Sequence, residues 1–253
     1  MASILLASQG QLTIACGLIF LAAVFDVFDG LAARALGGGT PLGAQLDSLA
    51  DMVSFGVGPA MLVFFLVDSY PLDRRIMRID QVLELDVERW ITMLASLTIV
   101  IASAWRLAKF NIDTRQTTGF LGLPTPANAL FWASCPLILE RSDSIDLANA
   151  AVDSVPPPDG DTLYVIATGV RMCFSQPRIV LVLALILGML MLSELPLPGL
   201  KFKHKGWKGN EVIFLLIGIG ALLALLYGIL AVPLILIIYL LSPLWGKLFP
   251  KAH

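Results

Sequence analysis

Charged residues are scarce in this chain. Asp, Glu, Lys and Arg make up 14% of its 253 residues, and hydrophobic residues make up 57%. A soluble domain carries roughly 25% charged residues, and the mean hydropathy of this chain is +0.84. The composition therefore argues against a soluble protein. It predicts an all-α polytopic bundle of transmembrane helices, forming a single domain over residues 1–253.

Histidine and cysteine are too few for several kinds of site. Neither His204 nor His253 lies near a Ser or Cys in a nucleophile-like setting, so triad chemistry is not expected. The three cysteines lack paired metal-ligand spacing, and their odd number gives no disulfide framework. We expect them to be small packing residues.

A basic region ahead of the first apolar run is also missing, because the first Lys or Arg is Arg34. A cleavable secretory signal opens with such a region. We therefore expect the first apolar run to remain as an uncleaved membrane helix.

Seven apolar segments are of membrane length or slightly below it. A helix needs roughly 20 apolar residues to span a bilayer, and shorter segments are tolerated when flanking residues reach the interface. The segment at 124–139 is the weakest, because it is short and contains Pro126 and Pro136. We expect about seven spans, at 11–33, 46–67, 90–108, 124–139, 177–195, 211–228 and 230–246.

The placement of lysine predicts an orientation. If the loop after the first span is cytoplasmic and the spans alternate, all the lysines fall on the cytoplasmic side, whereas the arginines are divided. We expect an integral protein of the bacterial inner (cytoplasmic) membrane, with outer loops at 68–89 and 140–176 that show no recognisable chemistry. The basic stretch at 201–208 fits either a topology determinant at the lipid surface or a contact with anionic headgroups.

Four carboxylates interrupt the apolar pattern where the first span ends and the second begins. A carboxylate in or at the margin of a bilayer costs on the order of 2.5–3.5 kcal/mol even on the gentlest scale. Asp26 and Asp29 are three residues apart, and Asp47 and Asp51 are four apart, so each pair shares one helical face. An antiparallel pair of helices would bring both acidic faces together at the cytoplasmic boundary.

Clustered carboxylates repel one another unless cations lie between them. An all-oxygen ligand set favours Mg²⁺ or Mn²⁺ over zinc. Two such ions a few ångströms apart can hold a diphosphate and stabilise its leaving oxygen. We therefore expect the cofactor to be Mg²⁺ or Mn²⁺, with two ions.

The residues beside the first two aspartates allow two interpretations. Gly30 fits either close helix packing or the approach of a nucleotide or phosphate to the backbone, and Ala33 fits packing better. Arg34 fits either an interfacial anchor or a phosphate clamp. Taken alone, these residues leave the alternatives open.

The spacing as a whole resembles the signature of the CDP-alcohol phosphotransferase family. Every fixed position of that signature is matched, and eight specified residues at fixed spacing make a chance match very improbable. The matched pattern is Asp26-x2-Asp29-Gly30-x2-Ala33-Arg34-x8-Gly43-x3-Asp47-x3-Asp51.

The resemblance implies a fold, a reaction and roles for these residues. In that family the first three aspartates ligate metal, and the fourth shares the metal and acts as general base. Carried over, Asp26, Asp29 and Asp47 would be ligands, and Asp51 would also take the proton from an acceptor hydroxyl that attacks the β-phosphorus, so that CMP leaves. The nucleotide and phosphate site would include Gly30, Ala33, Arg34 and Gly43. The family further implies the CDP-alcohol phosphotransferase fold and a homodimer.

A second stretch bears on the acceptor alcohol. If the spans alternate, residues 106–111 and 119–128 lie on the same membrane face as the aspartates. Their cations and amides suit a zwitterionic amino acid; an ordinary loop before a proline-started helix is the alternative.

Three short elements are similar to those of the phosphatidylserine synthase branch, with Lys109 where Arg is commoner. They are Lys109-Phe110-Asn111, Gly122-Leu123-Pro124-x-Pro126 and Ser193-Glu194-Leu195-Pro196. That branch implies CDP-diacylglycerol and L-serine as substrates, a membrane lipid setting and no nucleic-acid partner. The candidate acceptor-binding residues are Arg106, Lys109, Asn111 and Arg115.

Other functions are compatible with parts of this pattern. Another member of the same family would use glycerol phosphate or an inositol phosphate as acceptor. A cation transporter would place its carboxylates nearer the bilayer midplane.

Family members usually carry one more helix ahead of the first aspartate helix, whereas only Met1 to Gly10 precede the first span here. We expect the upstream reading frame to encode that helix.

Overall fold

The computed structural model describes residues 1–35, 40–69, 79–112, 120–151, 162–174, 176–197 and 211–245. Arg115 and the basic stretch at 201–208 lie outside the described residues, as do parts of the two predicted outer loops. The backbone of Ala33 and Arg34 is described, but their side chains are not.

Almost every described residue is helical. The helices in chain order are α1 (Ala2–Ser8), α2 (Leu12–Ala35), α3 (Pro41–Asp51), α4 (Gly58–Ser69), α5 (Ile79–Ile112), α6 (Thr125–Ala151), α7 (Thr162–Phe174), α8 (Pro177–Leu192), α9 (Glu211–Tyr227) and α10 (Ala231–Trp245). A π-helical segment, Met52–Val57, joins α3 to α4, and a 3₁₀ turn, Gly228–Leu230, joins α9 to α10. Two short strands, β1 (Phe120–Leu121) and β2 (Pro196–Leu197), pair antiparallel. The predicted all-α fold is confirmed.

Within the described residues, fewer segments than predicted are long and apolar enough to cross a membrane. Four qualify, and a fifth does if α7 and α8, which meet at 96°, count as one broken span. The four are Leu12–Ala32, Pro41–Val67, Val87–Ile112 and Ile213–Pro243. The protein is therefore an integral membrane protein, but the predicted number of seven spans is not confirmed.

The physical reasons differ between the weaker segments. The apolar part of α6 ends at Glu140, which leaves it short of the roughly 20 residues that a span needs. Helix α8 has 16 residues and is a candidate only together with α7.

The last apolar segment folds back on itself. A Cβ on Gly220 would lie 3.7 Å from Cδ1 of Ile235, whereas residues fifteen apart in one straight helix are separated by about 22 Å. The chain reverses near Gly228, whose φ is 59°. Although Ile213–Pro243 counts as one candidate span by composition, it is a hairpin of two helices, which agrees with the separate helices predicted at 211–228 and 230–246.

One face of α5 is apolar and is exposed among the described residues. Trp90, Leu94, Leu97, Ile101 and Trp105 recur at helical spacing and are exposed, the two tryptophans by 62% and 65%. The two tryptophans are about 22 Å apart along the helix. Tryptophan favours the two interfaces of a bilayer, so this face has the length and chemistry of a lipid-facing surface.

The core lies on the other side of α5, against α4, α6 and α8. Trp132 is fully buried there, and its indole Nε1–H donates a hydrogen bond to Asn128 Oδ1 at 3.1 Å. Gly188 of α8 allows close approach to α5, because a Cβ there would lie 3.3 Å from Cβ of Ala102. Helix α5 therefore packs closely against α8 in this core.

The turn after β1 is seated on the end of α8. Gly122 has a φ of +77°, and a Cβ there would lie 2.5 Å from the carbonyl oxygen of Ser193. Only glycine suits both conditions. The Gly122 N–H donates to Leu195 O at 2.9 Å, and the Leu123 N–H donates to Leu190 O at 3.0 Å. The predicted Gly-Leu-Pro-x-Pro and Ser-Glu-Leu-Pro elements are therefore in direct contact.

Candidate active site

The acidic residues are carried by the facing ends of α2 and α3. Thr40 caps α3, because its Oγ1 accepts a hydrogen bond from the Gly43 N–H at 3.0 Å, and Pro41 occupies the first helical position. Both are strong helix-start signals. They set where α3 begins, and so where Asp47 and Asp51 lie along it.

Three of the four predicted aspartates come together. Carboxylate oxygens of Asp26, Asp47 and Asp51 all lie within 4.8 Å of one another. Asp26 and Asp51 are partly buried, whereas Asp47 is exposed. Asp29 lies one turn further along α2, is exposed, and is not part of this group, although it is near enough to Asp26 for their charges to interact.

The donor set of this carboxylate cluster fits a hard divalent cation. It offers only carboxylate oxygens, which are the ligands that Mg²⁺ and Mn²⁺ prefer. Among the described residues, none of the three carboxylates has a hydrogen bond or ion pair with another side chain that would offset their mutual repulsion. A bound cation would supply that missing compensation.

The residues predicted for the nucleotide and phosphate site are described only in part. Gly30 is exposed directly beyond Asp29. Gly43 lies in the first turn of α3, where a Cβ would approach Thr40 Oγ1 to 3.2 Å. A larger residue there would crowd the hydroxyl that caps the helix. The side chains of Ala33 and Arg34 lie outside the description.

The described acceptor residues predicted on α5 each interact with a group of the protein, and Asn111 contacts α3, which bears two of the clustered aspartates. The Asn111 side chain hydrogen-bonds to Ser48, which directly follows Asp47; the Nδ2–Oγ distance is 2.9 Å and the Oγ–Oδ1 distance is 3.1 Å. Lys109 Nζ lies 3.5 Å from Glu194 Oε1. The Arg106 side chain is buried, with its guanidinium carbon 5.7 Å from the ring centroid of Phe110.

Ser48 is a residue of the site that the sequence pattern does not single out. It lies between two aspartates in the sequence, but its contact with Asn111 depends on how α3 packs against α5. The sequence places Glu194 only in a turn, and its pairing with Lys109 accompanies the docking of β2 beside β1.

The fold and the carboxylate cluster together define the class of protein. The protein is a helical integral membrane protein in which two adjacent apolar segments bring three carboxylates together. Within that class, the chain belongs to the CDP-alcohol phosphatidyltransferase family, whose model matches residues 1–156. The resemblance drawn from the spacing of the aspartates is therefore confirmed.

Several curated proteins are similar to this chain over about half its length. A CDP-diacylglycerol–serine O-phosphatidyltransferase of Helicobacter pylori strain J99 is 36% identical over 140 residues, which are 54% of this chain and 52% of the relative. Its counterpart from Bacillus subtilis is 37% identical over 121 residues, 48% of this chain and 56% of the relative. An archaetidylserine synthase of Methanothermobacter thermautotrophicus is 35% identical over 130 residues, 51% of this chain and 48% of the relative. The chain thus spans about half the length of the curated relatives it matches.

Proposed function

We propose that this protein transfers the phosphatidyl group from CDP-diacylglycerol to L-serine, giving phosphatidylserine and CMP. The observation that carries the proposal is the convergence of Asp26, Asp47 and Asp51 within 4.8 Å in a member of this family. The names of the relatives support serine as the acceptor. Even the archaetidylserine synthase, which is named for a different lipid, is named for serine.

The carboxylate cluster would hold Mg²⁺ or Mn²⁺, with Asp29 completing a second ion's ligand set beside Asp26. When bound, the divalent ions supply positive charge to the diphosphate and to the departing CMP. The protein's part is to hold the carboxylates from two helices in one place. Gly30, Ala33, Arg34 and Gly43 would line the path of the nucleotide and its phosphates.

Asp51 would act as the general base. It is partly buried and lies within the cluster, where a carboxylate can accept the proton of the serine hydroxyl. The serine oxygen then forms a bond to the β-phosphorus, and the bond from that phosphorus to the oxygen it shares with CMP breaks. The leaving CMP keeps the bonding electron pair.

Serine would bind at the α5 end that faces the cluster, where Arg106, Lys109, Asn111 and, beyond the described residues, Arg115 provide cations and an amide. The Lys109–Glu194 pair does not prevent this, because Glu194 is exposed to solvent, and a salt bridge with an exposed partner contributes little and can be exchanged. We further propose that residues 1–253 act as one domain of a homodimer in a bacterial inner membrane, with the cluster facing the cytoplasm.

The direct test is an assay with radiolabelled L-serine, CDP-diacylglycerol and Mn²⁺ on the purified protein in mixed micelles. We expect labelled phosphatidylserine and stoichiometric CMP, both abolished by EDTA and restored by excess Mn²⁺. Glycerol 3-phosphate and an inositol phosphate are the matched alternative acceptors. Incorporation of either one without serine would show that the acceptor is wrong while leaving the family chemistry intact.

A further inference from the structure

Helix α3 carries two of the three clustered carboxylates but has little to hold it. None of its eleven residues is buried, and only Ser48 and Asp51 are partly covered. Among the described residues, the hydrogen bonds that join a side chain of α3 to another helix are those between Ser48 and Asn111. The position of Asp47 and Asp51 therefore depends on few contacts.

The geometry of the Ser48–Asn111 contact suits a tether. The Ser48 hydroxyl lies against the edge of the Asn111 carboxamide, where it can accept from Nδ2 at 2.9 Å and donate to Oδ1 at 3.1 Å. On a helix, Ser48 points about 100° away from Asp47, and Asp51 points between them. The same turn of α3 thus directs its carboxylates toward Asp26 and its hydroxyl toward α5.

A second contact fixes the direction in which α3 and α5 run. Gly56, in the π-helical segment, packs against Ser103, because a Cβ on Gly56 would lie 3.1 Å from Cβ of Ser103. From Ser48 to Gly56 the chain advances eight residues, and from Asn111 to Ser103 it goes back eight. The two segments are therefore antiparallel and in one continuous register, with the polar contact at the end that bears the aspartates.

We infer that Ser48 is a positioning residue, which holds the α3 carboxylates of the metal site in place through its hydrogen bonds with Asn111. The inference rests on the proposed metal site, and it gives Asn111 a role in bracing α3. Its effect is on the retention of metal, whether or not an acceptor is present.

The test is a titration of the purified full chain with Mn²⁺ alone, in detergent, with free Mn²⁺ measured by electron paramagnetic resonance. Ser48→Ala and Asn111→Ala are each expected to raise the Kd for Mn²⁺ by roughly 3- to 10-fold, the range that the loss of one net hydrogen bond gives. Ser48→Thr keeps the hydroxyl and is expected to bind Mn²⁺ as the wild type does. Gln45→Ala, on an exposed part of the same helix, is the matched control and should have no effect.

The double variant separates bracing from independent roles. If Ser48 acts through Asn111, the Ser48→Ala/Asn111→Ala protein will have the Kd of either single variant, because the second change removes nothing further. The inference would be overturned if the Kd of the double variant rose by the product of the two single-variant fold-changes. A wild-type Kd in either single variant would also overturn it.

The same titration distinguishes failure of this inference from failure of the proposed site. If the wild type binds Mn²⁺ and Asp47→Asn prevents binding, the metal site stands and the variants decide the role of Ser48. Absence of Mn²⁺ binding by the wild type would overturn the metal site, and the positioning role with it.

Discussion

At the scale of single residues, the three clustered carboxylates differ in how far they are exposed to solvent. Asp47 is exposed, whereas Asp26 and Asp51 are partly covered, although all three carboxylates meet. In the proposed reaction, a partly covered carboxylate would be less open to water than an exposed one. Asp51 is therefore the side chain on which the proposed proton transfer depends most.

Replacing Asp51 with Asn tests that role. We expect Asp51→Asn to lower kcat by about 10²- to 10⁴-fold, the usual contribution of a general base, while CDP-diacylglycerol binding is largely kept. Steady-state assays and equilibrium binding of CDP measure the two effects separately. Glu88→Gln, near the opposite end of α5, is the control, and turnover by Asp51→Asn at the control's rate would contradict the assignment.

Glu194 offers a test of the acceptor side. Because its carboxylate pairs with Lys109, it would compete with the carboxylate of serine at the proposed acceptor site. We expect Glu194→Gln to lower the KM for serine by about 2- to 5-fold, in keeping with the weakness of an ion pair whose acidic partner is exposed, and to leave kcat unchanged. Lys109→Ala should raise the same KM, and a rise with Glu194→Gln would count against Lys109 as an acceptor ligand.

The sequence predicts part of this site because helical spacing is local. Residues three or four apart share a face, so the meeting of carboxylates from two neighbouring helices follows from the spacing and a short loop. The exclusion of Asp29 from the group depends on the crossing of α2 and α3. The contacts of Ser48 and Glu194 depend on packing between distant segments, which no local pattern contains.

At the scale of elements, backbone hydrogen bonds join the turn after β1 to the end of α8. Its backbone hydrogen bonds reach Leu190 and Leu195, and Gly122 leaves no room for a side chain against Ser193. These contacts hold Gly122 and Leu123 against the end of α8. The sequence indicates a turn here, but it does not reveal which segment the turn contacts.

Gly122→Ala should therefore destabilise the protein. The left-handed backbone costs a non-glycine residue about 1–3 kcal/mol, and the clash with the Ser193 carbonyl adds to it. Thermal unfolding in detergent should show a clear fall in Tm, accompanied by loss of activity. Gly218→Ala is the control, because it has open space in a helix and alanine is favoured there; equal Tm values for both variants would contradict the tight seat of the turn.

At the scale of the whole molecule, apolar surface is divided between a protein core and the bilayer. The tryptophan-bounded face of α5 is open in the isolated chain, and the core lies on its opposite side. Composition predicts a membrane bundle correctly. The predicted number of spans is not confirmed within the described residues, where α8 is a candidate only together with α7, which it meets at 96°.

Thiol labelling tests which surface meets lipid. In a background with Cys173 replaced by Ala, Leu97→Cys and Leu42→Cys place thiols at two sites that are both exposed in the chain. In vesicles, we expect a charged, water-soluble maleimide to modify the cysteine at 42 and to spare the one at 97. Equal labelling rates would show that the α5 face is in water.

The π-helical segment after Asp51 has a consequence for how this protein can vary. A helix turns by about 100° with each residue, so removing one residue from Met52–Val57 would rotate Asp47 and Asp51 away from Asp26 while α4 stayed packed. Natural variation in this segment can exchange one side chain for another, but insertions and deletions there would separate the halves of the acidic site. Orthologues should therefore align without gaps from the second pair of aspartates into the following helix.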